Sequence, residues 1–213
     1  TGLAPNDDYR VAEQAADVLA LHEALGGGDD AALVGHDWGA VATWAVTAAE
    51  PERFSKYVAM SVPPPEAILA PLRSLLTLPV AARRLTMSWY FLFNQLPGSE
   101  RSLDWLIPKL WRDWSPGYEG SEDITRVFEA IDGPGRRRAA LRYYRNTLTT
   151  GLGELASIRP DAPVLYLHGA ADGGALASVE VSQPHALPLA VVRLEGEVGQ
   201  VGEAPVGCTQ HAP

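Results

Sequence analysis

A short apolar segment that runs into a glycine-flanked turn and then into a helix determines the fold class. Residues 31–35 read Ala-Ala-Leu-Val-Gly, and an apolar run of this length between turn residues is typical of a strand buried on both faces. Residues 38–49 have the pattern of a helix, which Glu50-Pro51 ends because the residue before a proline disfavours helical backbone. Residues 57–60 form a second buried-strand pattern. A strand, a helix and a strand in this order predict a parallel sheet.

An amphipathic pattern precedes this unit, and two further strand patterns follow it. Apolar residues at steps of three and four predict a helix over residues 12–25, and three glycines end it because glycine adopts the left-handed cap conformation cheaply. Residues 163–169 again have the pattern of a buried strand, and residues 189–194 predict one more. We therefore expect an α/β fold with a mostly parallel sheet.

The segment between these strand patterns has a different character. Residues 66–150 hold 11 of the 17 aromatic residues, at helical spacing and with interrupting prolines. These features predict a helical insertion, or cap, within a core formed by residues 1–65 and 151–195. Residues 196–213 are rich in glycine and proline and lack periodicity, which predicts an irregular tail.

Composition excludes several classes of protein. The 213 residues include 17 lysines and arginines against 26 aspartates and glutamates, a net charge of −9, so we expect no nucleic-acid binding, which needs clustered cations. No apolar run approaches the roughly 18 residues that a membrane-spanning helix needs. The single cysteine, Cys208, cannot form an internal disulfide, which fits a reducing compartment. Residues 1–8 lack the basic and apolar regions of a signal peptide, and we expect a cytoplasmic protein.

The residue at the turn is an aspartate. Asp37 lies between Gly35 and Gly39, where small residues let a strand and a helix pass closely. A carboxylate at such a turn, beside the positive end of a helix dipole, is favoured in its ionised form and can attack carbon to form an ester. A simpler interpretation is that Asp37 caps the helix, because aspartate is a favoured N-cap residue. The spacing alone does not decide between the two.

These residues resemble a known family. Residues 34–40, which read Val-Gly-His-Asp-Trp-Gly-Ala, are followed by Pro-Glu-Arg at residues 51–53 and by a proline-rich exit from the next strand. This combination is similar to the aspartate elbow of the α/β-hydrolase superfamily, in the branch of epoxide hydrolases and haloalkane dehalogenases. The resemblance covers about residues 9–194. It implies a partial α/β-hydrolase fold, in which a helical cap is inserted into a mostly parallel sheet.

The resemblance assigns roles to two tyrosines. Residues 88–98 and 142–146 look like the two cap segments in which epoxide hydrolases carry a tyrosine that donates to the departing oxygen, which places Tyr90 and Tyr144 in that role. Without the resemblance, both are better explained as core aromatics of a helical cap. A dehalogenase would instead need indole or amide donors for its halide, and Trp38 could serve as a substrate-binding donor in either branch.

The family also uses a histidine base that an acid orients. Asp172, a few residues after a buried strand, resembles that acid. Gln200 stands where the histidine is expected, and glutamine cannot take a proton from water near neutral pH. His211 would reach the site only if the tail folded back. The remaining histidines are interpreted as structural or surface residues, and they are His22, His36, His168 and His185.

The beginning of the chain also departs from the family. Nothing in residues 1–10 resembles the strands and the His-Gly loop that normally precede this point, so the N–H of Trp38 is the one oxyanion-hole donor in view. We therefore expect an N-terminally truncated chain. Because residues 196–213 keep no terminal helix pattern, we also expect an altered C-terminal reading, for example by a frameshift.

The function that the resemblance implies is epoxide opening to diols through an ester on the aspartate, although the missing histidine places turnover by this chain in doubt. The alternatives are a haloalkane or haloacid dehalogenase, and a non-catalytic remnant or apolar-ligand-binding protein. The partner would be a small apolar epoxide or a related substrate. No metal or organic cofactor is implied, and the sequence does not indicate an oligomeric state.

Overall fold

The computed structural model describes residues 3–4, 6–69, 86–169, 172 and 189–194. The described strands are β1 (Ala32–His36), β2 (Lys56–Met60), β3 (Val164–Gly169) and β4 (Leu189–Leu194). The described helices are α1 (Val11–Ala24), α2 (Trp38–Ala49), α3 (Pro65–Leu69), α4 (Trp89–Phe93), α5 (Leu103–Trp114), α6 (Ser121–Ala130), α7 (Pro134–Asn146) and α8 (Leu152–Ser157). A 3₁₀ turn covers Ser99–Ser102, and a π-helical turn covers Thr147–Gly151.

The described strands form one parallel sheet in the order β1-β2-β3-β4. Val34 of β1 lies opposite Val58 of β2, which in turn lies opposite Leu165 of β3. β4 pairs with β3 in the same direction, with Ala190 opposite Leu165. The helices from α3 to α8 lie along the chain between two strands that are neighbours in space. The predicted parallel sheet and the positions of its strands are confirmed.

The larger core cluster lies where α1 and α2 pack against the sheet. Trp44 is 1% exposed, and its indole Nε1 donates to the main-chain oxygen of Val62 over 3.0 Å. Tyr166 of β3 is fully buried nearby, with its ring centroid 6.4 Å from that of Trp44. The buried members of the cluster are Val11, Ala15, Ala40, Val41, Trp44, Ala45, Val46, Phe54, Tyr57, Ala59, Ile158, Ala162, Val164 and Tyr166. This packing holds α2 against β1 and so fixes the turn between them.

The two faces of the sheet differ in exposure. Leu33, Tyr57 and Val164 are neighbours in register, and all three pack in the core cluster with α2. Side chains alternate between faces along a strand, and Val34, on the other face, is 58% exposed. The prediction that the first strand is buried on both faces is therefore wrong. An apolar sequence suits burial, but among the described residues no helix covers Val34.

A second core cluster lies among the helices between β2 and β3. Its buried members are Tyr90, Leu103, Leu106, Leu110 and Leu141. Arg145 of α7 pairs with Glu100 at 2.8 Å and donates from Nε to the main-chain oxygen of Asn94 at 2.9 Å, which ties α7 to the end of α4. This part of the chain is helical, as the aromatic spacing predicts, whereas the division into a core and a cap stays a prediction. The predicted tail, residues 196–213, lies outside the described residues.

The described helices are short. α1 spans 14 residues, and α2 and α5 span 12 residues each. A helix needs about 20 apolar residues to cross a bilayer. In the part of the chain that the structure describes, no helix has the length and apolar character to cross a membrane.

Candidate active site

Asp37 occupies the turn between β1 and α2 in an unusual backbone conformation. Its φ is 53° and its ψ is −118°, a combination that residues other than glycine rarely adopt. The N–H of Asp37 donates to the main-chain oxygen of Met60 over 3.3 Å, and the carbonyl of Asp37 accepts from the N–H groups of Ala40 and Val41. Such conformations cost of order 1–3 kcal/mol and persist where the surrounding structure holds them. The predicted strained turn is therefore present at Asp37.

The two glycines that flank the turn have different roles. A Cβ atom on Gly35 would lie 2.1 Å from the main-chain oxygen of Gly39 and 2.4 Å from Oγ1 of Thr43, so β1 and α2 can pass this closely only with glycine there. A Cβ atom on Gly39 would meet no described atom within 4 Å beyond its own helix. The prediction of close passage therefore applies to Gly35. It is wrong for Gly39, whose missing side chain faces open space.

The carboxyl group of Asp37 does not cap α2. An N-cap residue has extended backbone and accepts hydrogen bonds through its side chain from the first turn of the helix. Asp37 has a positive φ, and its side chain makes no capping hydrogen bond within the described structure. The simpler interpretation from the sequence is therefore wrong. The turn leaves the carboxyl group available for chemistry.

Burial dominates the electrostatics of Asp37. Asp37 is an exposed residue, but the protein atoms around its carboxyl group displace water from it and raise the pKa of Asp37 above its ordinary value. The negative charge of Asp172 raises the pKa further, whereas His36 and the N–H of Trp38 act in the opposite direction. From the sequence we expected the helix terminus to favour the ionised form of Asp37, but the opposing effect of burial on its pKa is larger.

Asp172 carries a second carboxylate near Asp37. It follows β3, and its N–H donates to the main-chain oxygen of Gly169 over 3.1 Å, which forms a turn at the end of that strand. Its charge raises the pKa of both Asp37 and Tyr90. The carboxyl ends of neighbouring parallel strands meet at one edge of a sheet, so the fold brings together two carboxylates that lie far apart in sequence.

Tyr90 and Tyr144 meet beside these carboxylates. Their rings pack edge to face with centroids 5.7 Å apart, and both side chains contribute to the second core cluster. Burial raises the pKa of Tyr144 to about 12, with the charge of Asp37 acting in the same direction. Burial also raises the pKa of Tyr90, with smaller contributions from Tyr144, Asp37 and Asp172. Both phenols are therefore neutral donors at neutral pH.

The ring of Trp38 packs against three other aromatic rings, and together these rings form one wall of the candidate site. Its ring lies 5.4 Å from that of Tyr144 in an edge-to-face arrangement, and a side-chain hydrogen bond from Trp38 lowers the pKa of Tyr144. Phe91 and Tyr143 complete the wall, with ring centroids 6.1 and 5.6 Å from Trp38. Neither residue was assigned a role from the sequence, where Tyr144 was preferred to its neighbour Tyr143 as the second donor. Each directly follows or precedes an assigned tyrosine in a helical segment, and that adjacency is the signal that could have found them.

Two of the three described histidines, His22 and His168, make side-chain contacts with residues other than Asp37. His168 is 3% exposed, and its Nδ1 lies 2.8 Å from the hydroxyl of Tyr166, its neighbour on β3. His22 of α1 accepts through Nδ1 from Nε of Arg53 over 3.1 Å. His36 is exposed at the end of β1, and its charge lowers the pKa of the neighbouring Asp37. Gln200, with His185 and His211, lies outside the described residues.

Comparison with known proteins identifies relatives of this chain. A family model described as alpha/beta hydrolase fold matches residues 1–179. The AB hydrolase superfamily protein YfhM of Bacillus subtilis (strain 168) is 27% identical over 157 residues, which are 71% of this chain and 52% of that protein. The chain thus spans about half the length of this curated relative.

Two solved structures show the same fold. Epoxide hydrolase A from Mycobacterium thermoresistibile is similar with a TM-score of 0.59 and 25% identity, over 89% of this chain and 69% of that one. A variant of an epoxide hydrolase from Bacillus megaterium has a TM-score of 0.67 and 19% identity, over 91% of this chain and 71% of that one.

Proposed function

This chain belongs to the α/β-hydrolase fold family, and on that premise we propose that it opens small apolar epoxides through an ester on Asp37. The observation that carries the proposal is the meeting of a strained, uncapped aspartate with two buried neutral phenols, Tyr90 and Tyr144. A nucleophile and a pair of donors are the groups that epoxide opening requires. Two solved structures with a similar fold are named as epoxide hydrolases, which agrees with this proposal.

The first step would be attack by Asp37. One carboxylate oxygen forms a bond to an epoxide carbon, and the bond from that carbon to the ring oxygen breaks, so the electron pair goes to the departing oxygen. The strained turn presents the carboxyl group at the carboxyl edge of the sheet, where no capping bond competes for it. Because the carboxylate is the attacking form, the raised pKa of Asp37 makes this step faster as the pH rises.

The departing oxygen would be stabilised by the two phenols. Tyr90 and Tyr144 keep their protons at neutral pH because burial raises the pKa of both. Each can donate a hydrogen bond to the oxygen as negative charge develops on it, in a site that their packing partly shields from water. One phenol transfers its proton to this oxygen, which gives a hydroxy-ester of Asp37, and the phenolate that remains takes a proton from solvent.

Release of the diol requires water to attack the ester, with a base to take its proton. From the resemblance, we propose Asp172 as the acid that would hold that base, and the effect of its charge on Asp37 supports the choice. The sequence has Gln200 at the position where the family carries its histidine. We therefore propose that the chain forms the ester and releases it slowly.

Mass spectrometry of the purified chain after incubation with styrene oxide tests the proposal. We expect an adduct with the mass of one epoxide on the peptide that contains Asp37, persisting over hours, and no adduct in Asp37→Asn. Labelling at other positions only would contradict the assignment of Asp37. Rapid multiple turnover to the diol would support epoxide opening but contradict the slow release.

Dehalogenation is the second candidate, because Trp38 directly follows Asp37 in the chain and an indole can serve as a halide donor. That indole is already engaged by Tyr144, which favours the epoxide reaction. Assays of halide release from haloalkanes separate the two activities. A dehalogenase would tolerate Tyr90→Phe and Tyr144→Phe, whereas an enzyme that opens epoxides would not.

A further inference from the structure

The two phenols of the candidate site lie on separate helices, one of which is very short. Tyr90 belongs to α4, which spans five residues, and Tyr144 belongs to α7, two residues before that helix ends. Isolated helices shorter than about 12 residues are marginal in water, so α4 depends on contacts with its neighbours. The distance of 5.7 Å between the two ring centroids therefore depends on how α4 is attached to α7.

The side chain of Arg145, the residue after Tyr144, reaches the end of α4. Its Nε donates to the main-chain oxygen of Asn94 over 2.9 Å, and Nη2 donates to that of Leu96 over 3.3 Å. The N–H of Asn94 in turn donates to the main-chain oxygen of Tyr90 over 2.9 Å. Arg145 therefore bonds to the helical turn that holds Tyr90.

The same guanidinium group bonds to the 3₁₀ turn that follows α4. Nη1 of Arg145 donates to Oε1 of Glu100 over 2.8 Å, and Nη2 donates to Oγ of Ser99 over 3.1 Å. The side chains of Arg145 and Glu100 are only 20% and 22% exposed, and the hydrogen bond from Arg145 lowers the pKa of Glu100. A guanidinium group carries its donors in a fixed planar arrangement, so it can hold several acceptors at once.

Gln95 makes a second link, from the end of α4 to α7. Its Nε2 donates to the main-chain oxygen of Phe91 over 2.9 Å and to that of Tyr144 over 3.2 Å. The second contact lies close to the point where α7 gives way to the π-helical turn Thr147–Gly151. The end of an α-helix leaves carbonyl groups for other donors, and Gln95 uses one that belongs to Tyr144 itself.

We propose that Arg145 and Gln95 are positioning residues, which hold the ring of Tyr144 against that of Tyr90 so that both phenols can donate to one oxygen. The inference rests on the proposed function and goes beyond it, because it assigns roles to two residues that supply neither the nucleophile nor a donor. A displacement of about 1 Å at a reacting group can slow a reaction by about 100-fold, so the link affects the rate as well as the stability.

Nuclear Overhauser effects between ring protons test the link without any substrate. In the full wild-type chain we expect a contact between Tyr90 and Tyr144 and, in the other core cluster, a contact between Trp44 and Tyr166. Arg145→Met should lose the first contact and keep the second, which reports that the sheet and its helices are folded. Absence of the first contact from the wild-type chain would overturn the proposal.

The matched control is Arg137→Met on the same helix. Arg137 pairs with Asp104 of α5 at 2.8 Å, and its side-chain hydrogen bonds in the described structure go to Asp104 rather than to α4. This variant removes an equal charge and a comparable ion pair, and it should keep both ring contacts. Loss of the contact between the two phenols in this control would show that any damage to α7 separates them, and would overturn the specific role of Arg145.

Two milder variants decide the question if Arg145→Met does not fold. Arg145→Lys keeps the charge but cannot bond to Glu100 and to the main-chain oxygens after α4 at once. Gln95→Met keeps the length of the side chain but removes its donors. Each should lower the intensity of the contact between the phenols at least about twofold, since each removes part of the hydrogen bonding that joins the helices. Wild-type intensity in both variants, or in a folded Arg145→Met chain, would overturn the proposal.

The rate of adduct formation with styrene oxide connects the link to the chemistry. Arg145→Met should lower the maximal rate by about 30-fold but change the half-saturating concentration less than about twofold, because the donors act on charge that develops during the reaction. In a Tyr144→Phe background the same change should cost no more than about twofold, because the donor that it positions is already absent. Additive losses would show a general structural role and reject positioning.

Failure of this proposal and failure of the hydrolase proposal give different results. If the wild-type chain forms no adduct on Asp37, the hydrolase proposal is wrong, and the ring contacts still decide whether Arg145 and Gln95 position Tyr144. If the adduct forms but the ring contacts survive the substitutions, only the positioning role is wrong.

Discussion

The turn at Asp37 and the aromatic helices that face it are built in opposite ways. The turn is mostly local: Gly35 is pressed against the start of α2, and a hydrogen bond to Met60 of β2 adds one contact from farther along the chain. The aromatic site is non-local, because Tyr90 and Tyr144 belong to different helices and meet only through packing. Substitutions in the turn should therefore abolish adduct formation or strongly destabilise the fold. Substitutions of the aromatic residues in the helices should instead lower the rate of adduct formation without abolishing it.

Removal of the nucleophile gives the largest expected effect. Asp37→Asn keeps the shape of the side chain but removes its charge, so the rate of adduct formation with styrene oxide should fall by roughly 10⁴-fold or more. Intact-protein mass spectrometry over time measures this rate. Asp29→Asn, which removes an equal charge from an exposed turn, is the control and should react at the wild-type rate. If the Asp37→Asn chain still formed the adduct at the wild-type rate, Asp37 would not be the nucleophile.

The two flanking glycines provide a matched pair for folding. Gly35→Ala places a methyl group 2.1 Å from the main-chain oxygen of Gly39. Because backbone atoms cannot move aside as a flexible side chain can, this change should lower the free energy of unfolding by about 3 kcal/mol or more. Gly39→Ala meets open space on a helix and should raise it by up to about 1 kcal/mol. Urea unfolding followed by circular dichroism measures both. Similar effects of the two changes would show that the turn is not held by this close approach.

Loss of one phenol tests the graded behaviour of the helices. Tyr90→Phe and Tyr144→Phe each keep the ring packing and remove one donor, so each should slow adduct formation by about 100-fold. Tyr118→Phe removes a hydroxyl group from an exposed tyrosine that donates to Asp123, and should leave the rate unchanged. Stopped reactions analysed by mass spectrometry give the rates. If both variants react as the wild type does, the tyrosines act only as core aromatics.

The smallest expected effect is a pH dependence of stability. Because the pKa of Asp37 is raised in the folded chain, folding favours its protonated form. This contribution is fully present below the ordinary carboxyl pKa and is lost as the pH rises through the raised value. Asp37→Asn should therefore be more stable than the wild type at neutral pH, and the difference in Tm should shrink as the pH falls to about 3. A difference that is constant with pH would contradict the burial of this carboxyl group.

The sequence was informative where structure is local. Apolar runs and helix-ending signals at Pro51 and the glycines after α1 predict the parallel sheet and the elements around Asp37, and the structure confirms them. The exposure of Val34 was not predictable, because an apolar pattern shows that a strand suits burial but not whether a neighbour covers it. The raised pKa of Asp37 was missed for a similar reason, since it reflects protein packed around the carboxyl group from distant segments.

Recognition of the two tyrosines depended on the resemblance to a family. Tyr90 and Tyr144 are separated by more than fifty residues, and nothing in their spacing predicts that their rings meet.

Because part of the sheet is exposed, the protein concentration can affect the measured stability of each variant. β1 pairs with β2 alone among the described strands, and Val34 presents apolar surface beside that edge. Strand edges with apolar neighbours are templates for pairing between molecules. Association of folded chains would raise their apparent Tm by mass action, so variants compared at one concentration could differ in self-association rather than in folding. A dilution series therefore belongs in the design of each stability experiment.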